Sequence, residues 1–541
     1  MTKNLTVGPP VRLMVSFTLP LLVGNLFQQL YVVTDAMVVG RMLGVDALAA
    51  VGASASLQFL LFGFAMGASA GLAIPVARAF GGSDMAAMRR AVCAGILISA
   101  GISIAITLVG TLGSRTLLAW MGTPPELMDV ATTFLTVLFS GAVATVAFNF
   151  LSSVIRALGD SRTPLLFLVV ACVLNAALVV LFIAVFKLGV GGAAAATLVA
   201  QAISVRLCLF LISRRMPALK LSRADWRFIP AELGESAKLG LTLGFQMSVI
   251  AIGAAVLQYG INQLGTDAVA AFTAAMRVDQ VAVIPLATVG IAMSTYVAQN
   301  RGARQWWRIR YGVFRIGVLT VILAFGLGAV ITIFGTDLVR LFVGEGEEHV
   351  VGMAHQYLIL NGSLYWVLAV LFLLRNALQG LGVTAVPTIA GFMELIARSA
   401  VGLLLIDRIG FLGVCLAAPL AWLGALVPVA IAWVIHRRRL VRAESRTTPI
   451  ARGTLELTMH ERTTRPSSEG MHASAKGQRQ GPAPRASAKG QRQGPAPRVW
   501  CSKQVVYCRG RGSRASDSGA STVSVPRAMA PTTPAISPIT E

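Results

Sequence analysis

Long apolar runs alternate with short clusters of Arg, Gly, Pro and Asp along the first 436 residues. A helix needs roughly 20 apolar residues to cross the hydrocarbon core of a bilayer. Twelve stretches meet that length, near 13–39, 48–77, 91–112, 128–151, 163–186, 190–213, 238–261, 268–298, 313–334, 352–377, 387–406 and 411–436. Their length favours spanning helices, whose backbone groups are satisfied within each segment. The first run is too long for a cleavable leader and is expected to continue as a helix. The pattern predicts an all-α polytopic membrane protein.

The interruptions give the orientation. Basic residues concentrate in alternate loops: Arg78, Arg89 and Arg90; Arg156 and Arg162; Arg214, Arg215, Lys220, Arg223 and Arg227; Arg301, Arg304, Arg308 and Arg310. The other loops hold at most about one each, such as Arg41, Arg115, Lys187, Arg340 and Arg408. Basic loops stay cytoplasmic, so both termini are expected inside, with the protein in the plasma (inner) membrane. Asp35 then falls in the outer half of the first span.

An internal repeat organises the spans. "LGVDALAAVGA" at 43–53 returns as "LGTDAVAAFTA" at 264–274, and "VARAFGG" at 76–82 as "VAQNRGA" at 297–303. "LGDSRTP" at 158–164 and "LGVTAVP" at 381–387 share Leu-Gly and a later Pro in nearly the same register. The repeat divides the chain into lobes at 1–222 and 223–440. Six spans per half insert both halves the same way round, a plan typical of secondary transporters with a central cavity.

Composition adds two points. With 55% hydrophobic and 13% charged residues and a mean hydropathy of +0.73, the chain has too few charges to cover a soluble surface. The segment 441–541 differs: it is rich in Arg, Ser, Thr, Pro and Gly and carries "ASAKGQRQGPAPR" twice in tandem, at 473–485 and 486–498. Together with Arg437–Arg439 it holds about +13 of the formal net charge of +23. Such a segment is expected to be disordered, and reads either as an anionic-lipid-binding tail or as an acquired, mis-framed extension. Nucleic-acid binding does not follow from that charge. The six cysteines show no disulfide or metal spacing, and neither a Gly-rich phosphate loop nor a Ser/His/Asp arrangement is visible.

Four stretches, "QQLYVVTDAMVVGRMLGVDALAAVGAS", "RALGDSRTPLLFLVVACVLNAAL", "GGAAAATLVAQ" and "LRNALQGLGVTAVPTIAGFMELIARS", resemble the multidrug and toxic-compound extrusion (MATE) family, prokaryotic type, over roughly residues 10–436. The resemblance implies two pseudo-symmetric six-helix lobes and makes Asp35 the cation-coupling residue. A carboxylate at mid-membrane costs on the order of 2.5–3.5 kcal/mol, so it is kept where it faces a cavity or a partner, and burial favours its protonated form. Pro20 cannot complete the helix ladder and favours a bend; in archaeal members the matching helix can bend there, so Pro20 reads either as a coupling bend or as a static kink. Gln28, two turns before Asp35, lies on a similar face of the helix, and by the same resemblance Asn149, Asn175 and Thr197 line the N-lobe cavity, although each of the four is also explained by an interhelical hydrogen bond. Many relatives carry an acid one turn after Asn175, where this chain has Val179; sodium-coupled members carry an acid near Gln246. Both departures favour a proton over sodium as the coupling ion.

In the second lobe, Glu394 and Arg398 are one turn apart and suited to pairing, and Arg277 and Asp279 lie near the start of the eighth span. They are either structural pairs that neutralise buried charge or a second cation or substrate site. The expected function is a cation-coupled antiporter, acting as a monomer in the lipid bilayer without cofactor, that expels amphipathic and often cationic organic molecules through rocking of the two six-helix lobes. A flippase for lipid-linked sugars would call for a more basic cavity. A membrane enzyme would need a catalytic cluster, and a scaffold would have no use for the two-lobe repeat.

Overall fold

The computed structural model describes residues 4–227, 229–343 and 347–463. They lie within one compact unit, Met1–Arg465; Pro466–Glu541 forms a second unit. The expectation of a disordered tail therefore falls, from residue 464 on, outside the described residues.

Among the described residues every regular element is helical. The first lobe contains α1 (Pro10–Leu43), α2 (Val45–Gly81), α3 (Met85–Trp120), α4 (Pro125–Ser140), α5 (Ala142–Ala157), α6 (Arg162–Val180) and α7 (Gly189–Arg215). The second contains α8 (Pro230–Asn262), α9 (Thr266–Gly302), α10 (Trp306–Val343), α11 (Glu348–Ser363), α12 (Tyr365–Gly380), α13 (Ala385–Ala400), α14 (Ile406–Ile409) and α15 (Phe411–Thr463). Among the described residues nine helices are long and apolar enough to cross a membrane singly. Two helix pairs pass the same test together, each bent at its joint: α4 with α5 at 52° and α11 with α12 at 51°, which makes eleven if each pair is one span. A further helical stretch runs through α13, a π-helical turn and α14, where the sequence placed its eleventh span. The last helix continues past the expected lobe boundary at 440.

The repeat is visible in irregularities as well as in helices. The two bent spans occupy corresponding places, as do the π-helical turns Leu181–Val185 and Val401–Leu405. Gly44 and Gly265, which match in the repeat, both hold a positive φ, 90° and 96°, that a side chain would strain. At the first bend the Phe139 carbonyl finds a side-chain partner, accepting from the Thr107 hydroxyl at 3.0 Å; near the second, the Asn361 amide donates to the Tyr357 carbonyl of its own helix at 2.9 Å. Such partners are what make a break tolerable within a membrane. Pro20 lies inside α1, which stays continuous as a helix.

The lobes meet where α2 packs along α8 and crosses α9. Gly67 and Gly71 lie against the backbone of Leu243 and Leu239, and Gly240 and Gly244 against Leu72 and Phe64. Small residues let helix backbones approach closely in lipid, where packing rather than hydrophobic burial drives association. This contact occupies the half of the molecule nearer the Arg-rich loops, termed here the basic-loop face.

Candidate functional site

Asp35 lies on α1 one turn after Tyr31, so both project from one side of the helix. The Tyr31 hydroxyl donates to Thr197 Oγ1 at 3.2 Å, and the Asn175 amide donates to the same oxygen at 3.0 Å. Thr197 in turn donates to the Ala193 carbonyl of its own helix at 3.3 Å. Asn175 is buried. The Asp35 Oδ1 atom is buried and has no hydrogen-bond partner among the described residues. An oxygen in that position is satisfied by a proton, a cation, a water or a donor on a solute. The first lobe thus joins α1, α6 and α7 through three neutral polar groups, with one carboxyl group left over.

Two of the four expected cavity residues, Asn175 and Thr197, come together. Asn149 does not join them: its amide donates to the Thr145 carbonyl of its own helix at 2.9 Å, and Thr145 donates to Gln201 at 2.5 Å. Gln28 is exposed on α1. Its neighbour Gln29 makes the cross-lobe bond instead, donating to Gln280 at 3.2 Å, while Asn25 donates to Thr288 at 2.8 Å. Tyr31 went unnoticed in the sequence, although its spacing of four from Asp35 was the signal that would have found it.

The second lobe corrects the expected pairing. Glu394 pairs with Arg375 of α12, not with Arg398, its neighbour one turn on in α13. Both partners are almost wholly buried. Asp279 accepts a hydrogen bond from the Tyr365 hydroxyl at 2.7 Å, and Arg277 points outward, exposed. Gln379 donates to Gln246 at 2.9 Å. Arg375 and Tyr365 both come from α12, which brackets these acids from a neighbouring span. Spacing along one helix does not reveal such a partner. Among the described residues no three His, Cys, Asp or Glu side chains converge as metal ligands.

At the basic-loop face the lobes are tied by two forked ion pairs. Arg78 of α2 meets Glu235 of α8 at 2.5 and 2.7 Å, and Arg90 of α3 meets Glu232 of α8 at 2.9 Å on both arms. Bidentate pairs of this kind fix geometry as well as charge. Arg78 and Glu235 border a cavity of about 890 Å³ that also touches Arg301, Arg304 and Trp306.

Two repeated helical lobes, closed against each other at one face and carrying Asp35 within an apolar helix of the first, have the plan of a membrane transporter. The chain belongs to the MatE family, a family of multidrug efflux transporters, whose model matches it twice, at residues 20–181 and 243–404. The matches have equal length and fall in the register of the internal repeat. The probable multidrug resistance protein YpnP of Bacillus subtilis is 31% identical over 381 residues, covering 70% of this chain and 84% of its own. The probable multidrug resistance protein NorM of Bradyrhizobium diazoefficiens is 26% identical over 74% of this chain and 84% of its own. The fold matches an outward-facing multidrug resistance MATE transporter with a TM-score of 0.75, at 21% identity, over 82% of this chain and 99% of that one.

Proposed function

We propose that the protein is a proton-coupled antiporter of the plasma membrane that exports amphipathic, often cationic, organic molecules by alternating access. The observation that carries this reading is Asp35, a membrane-embedded carboxyl group with one buried oxygen lacking a hydrogen-bond partner among the described residues. An oxygen left over from a lobe's own bonding network is free to exchange a proton or meet a positively charged solute. Tyr31, Thr197 and Asn175 hold α1 against α6 and α7 on the same side, so a change at Asp35 is felt by three spans. Apolar walls suit aromatic substrates of varied shape, and a single carboxylate attracts their charge. The protein works as a monomer with both termini in the cytoplasm, consistent with its basic loops.

A lone carboxyl group suits a proton better than sodium, which needs several oxygen ligands. Val179 is buried, in the same apolar cluster as Val38 and Val39, where a second acid would otherwise contribute. The test is efflux of ethidium or a fluoroquinolone in everted vesicles, driven in turn by a pH gradient and by a sodium gradient. The reading expects transport under the first alone. Transport driven only by sodium would replace the proton, and inability of either gradient to drive it would overturn the antiport reading.

A further inference from the structure

The seal at the basic-loop face contains a buried polar link that the two ion pairs do not explain. Gln299, on α9, is fully buried. Its Nε2 donates to the Ala157 carbonyl at the end of α5, in the other lobe, at 2.7 Å. Its Oε1 accepts the backbone N–H of Leu5 at 2.9 Å. One amide therefore ties the second lobe to the first lobe's helical end and to the segment that precedes α1.

That segment is docked. Leu5 is fully buried, and its carbonyl accepts from Asn300 Nδ2 and Arg308 Nη2, both at 3.3 Å. Asn4 Oδ1 accepts from the Thr6 N–H at 2.9 Å and the Thr6 hydroxyl at 2.5 Å, which shapes the turn presenting Leu5. Leu5 has no other route to satisfy its backbone while its side chain is buried, so docking and hydrogen bonding stand or fall together.

The repeat gives this residue a counterpart. Gln299 in "VAQNRGA" corresponds to Arg78 in "VARAFGG", and their helices cross reciprocally. A side chain on Gly81 would collide with the Gln299 carbonyl, and one on Gly302 with the Arg78 carbonyl. Arg78 reaches across to a carboxylate at the partly exposed rim; Gln299 reaches across to a carbonyl in the dry centre. A neutral amide is the group suited to that place, since it satisfies a donor and an acceptor without burying a charge.

We propose that Gln299 is the positioning residue of this seal, holding the lobes in the state closed at the basic-loop face with Leu5 docked as its brace. Opening that face parts Gln299 from Ala157 and hydrates both. The inference rests on the alternating-access reading but not on its coupling ion or substrate.

The experiment measures the distance between spin labels at Ala86→Cys and Trp307→Cys, with the native cysteines replaced, by pulsed dipolar spectroscopy in proteoliposomes without substrate or gradient. Both positions are exposed, near the starts of α3 and α10, one in each lobe. The parent should show chiefly a short distance. Gln299→Leu should raise the longer-distance population about tenfold, the effect expected from losing buried hydrogen bonds to both partners. Gln299→Glu, an acceptor toward Leu5 but no donor toward Ala157 when ionised, should do the same. Leu5→Pro, which lacks the donated N–H and leaves α9 untouched, should widen the distribution less, and it carries the test if the Gln299 variants do not fold. Unchanged distances in folded variants would overturn the proposal, as would an unchanged distribution accompanied by a lower melting temperature, which marks a merely structural role. If the distances widen as expected but no gradient drives efflux, the antiport reading fails and this one stands.

Discussion

Glu394→Gln should destabilise the protein more than any other single neutral substitution in the second lobe's polar interior. The Arg375 and Glu394 side chains are only 5% and 7% exposed, so water cannot take over for a missing partner. Breaking a buried ion pair from one side costs about 3–5 kcal/mol, because the remaining charge stays buried without compensation. The two sides are not equivalent. In Arg375→Met the solitary carboxyl group can take up a proton and escape much of the penalty. In Glu394→Gln the guanidinium cannot lose one, and its Nε is already buried with no hydrogen-bond partner among the described residues. The double variant Arg375→Met/Glu394→Leu removes both charges and should melt near the parent, since apolar replacement of a whole buried pair is often neutral. Thermal unfolding of the four proteins in one detergent provides the cycle. The expected order of melting temperature is parent, double variant, Arg375→Met, Glu394→Gln. A double variant that loses as much stability as the two singles summed would refute the reasoning. Efflux lost from a double variant of parental stability would make the pair a working site.

Two truncations and two substitutions probe separate parts of the account. Truncation after Ser445 should leave efflux intact, whereas truncation after Arg442 also removes Glu444, the partner of Arg310, and should cost up to about 1 kcal/mol of stability at that partly exposed pair; efflux lost in the first would show a working tail. Val179→Asp places a second acid in the core that contains Val38 and Val39; the pH profile of efflux should move to higher pH, because two nearby carboxyl groups resist joint ionisation, and an unmoved profile in folded protein would place Val179 remote from Asp35. In the loop between the lobes, the Ser222 hydroxyl and then its backbone N–H hold the Asp225 carboxyl below the usual carboxylate range, with Arg89 and Arg90 assisting against desolvation. A depressed value in the folded state means stability that is present above the unfolded carboxylate's pKa and lost as pH falls through the folded one, so the melting-temperature gap between parent and Ser222→Ala should be constant near neutral pH and narrow as pH falls below about 4.

The spans were legible because hydrocarbon allows so few backbone solutions that a run of about 20 apolar residues nearly dictates a helix. The repeat fixed their grouping, and Asp35 stood out as a charge in an apolar run. Asn175 and Thr197 were legible through resemblance, and their meeting at one hydroxyl is a tertiary fact. The bends at Gly141 and Leu364 were not legible, because no proline marks them and the apolar pattern continues across both. The partner of Glu394 was misread because a local neighbour at i+4 was visible, whereas Arg375 is brought in from another span. Gln299 and Leu5 gave no signal at all: an amide and a leucine near loops are ordinary until the fold buries them together. The end of α15 was set too early because its Arg-rich continuation was read from composition rather than helix propensity.

The central claim is that Asp35 carries the coupling proton. Asp35→Asn keeps the shape of the side chain and its capacity for hydrogen bonding but cannot exchange a proton between the two faces. The decisive measurement is efflux of a cationic dye driven by a proton gradient in liposomes containing purified Asp35→Asn protein, with Asp35→Glu alongside. The account predicts that Asp35→Asn inserts and folds like the parent, binds dye without dependence on pH and does not pump, while Asp35→Glu keeps part of the activity. Parent-like pumping by Asp35→Asn would contradict it and move the search for the coupling site to Asp279 and Glu394.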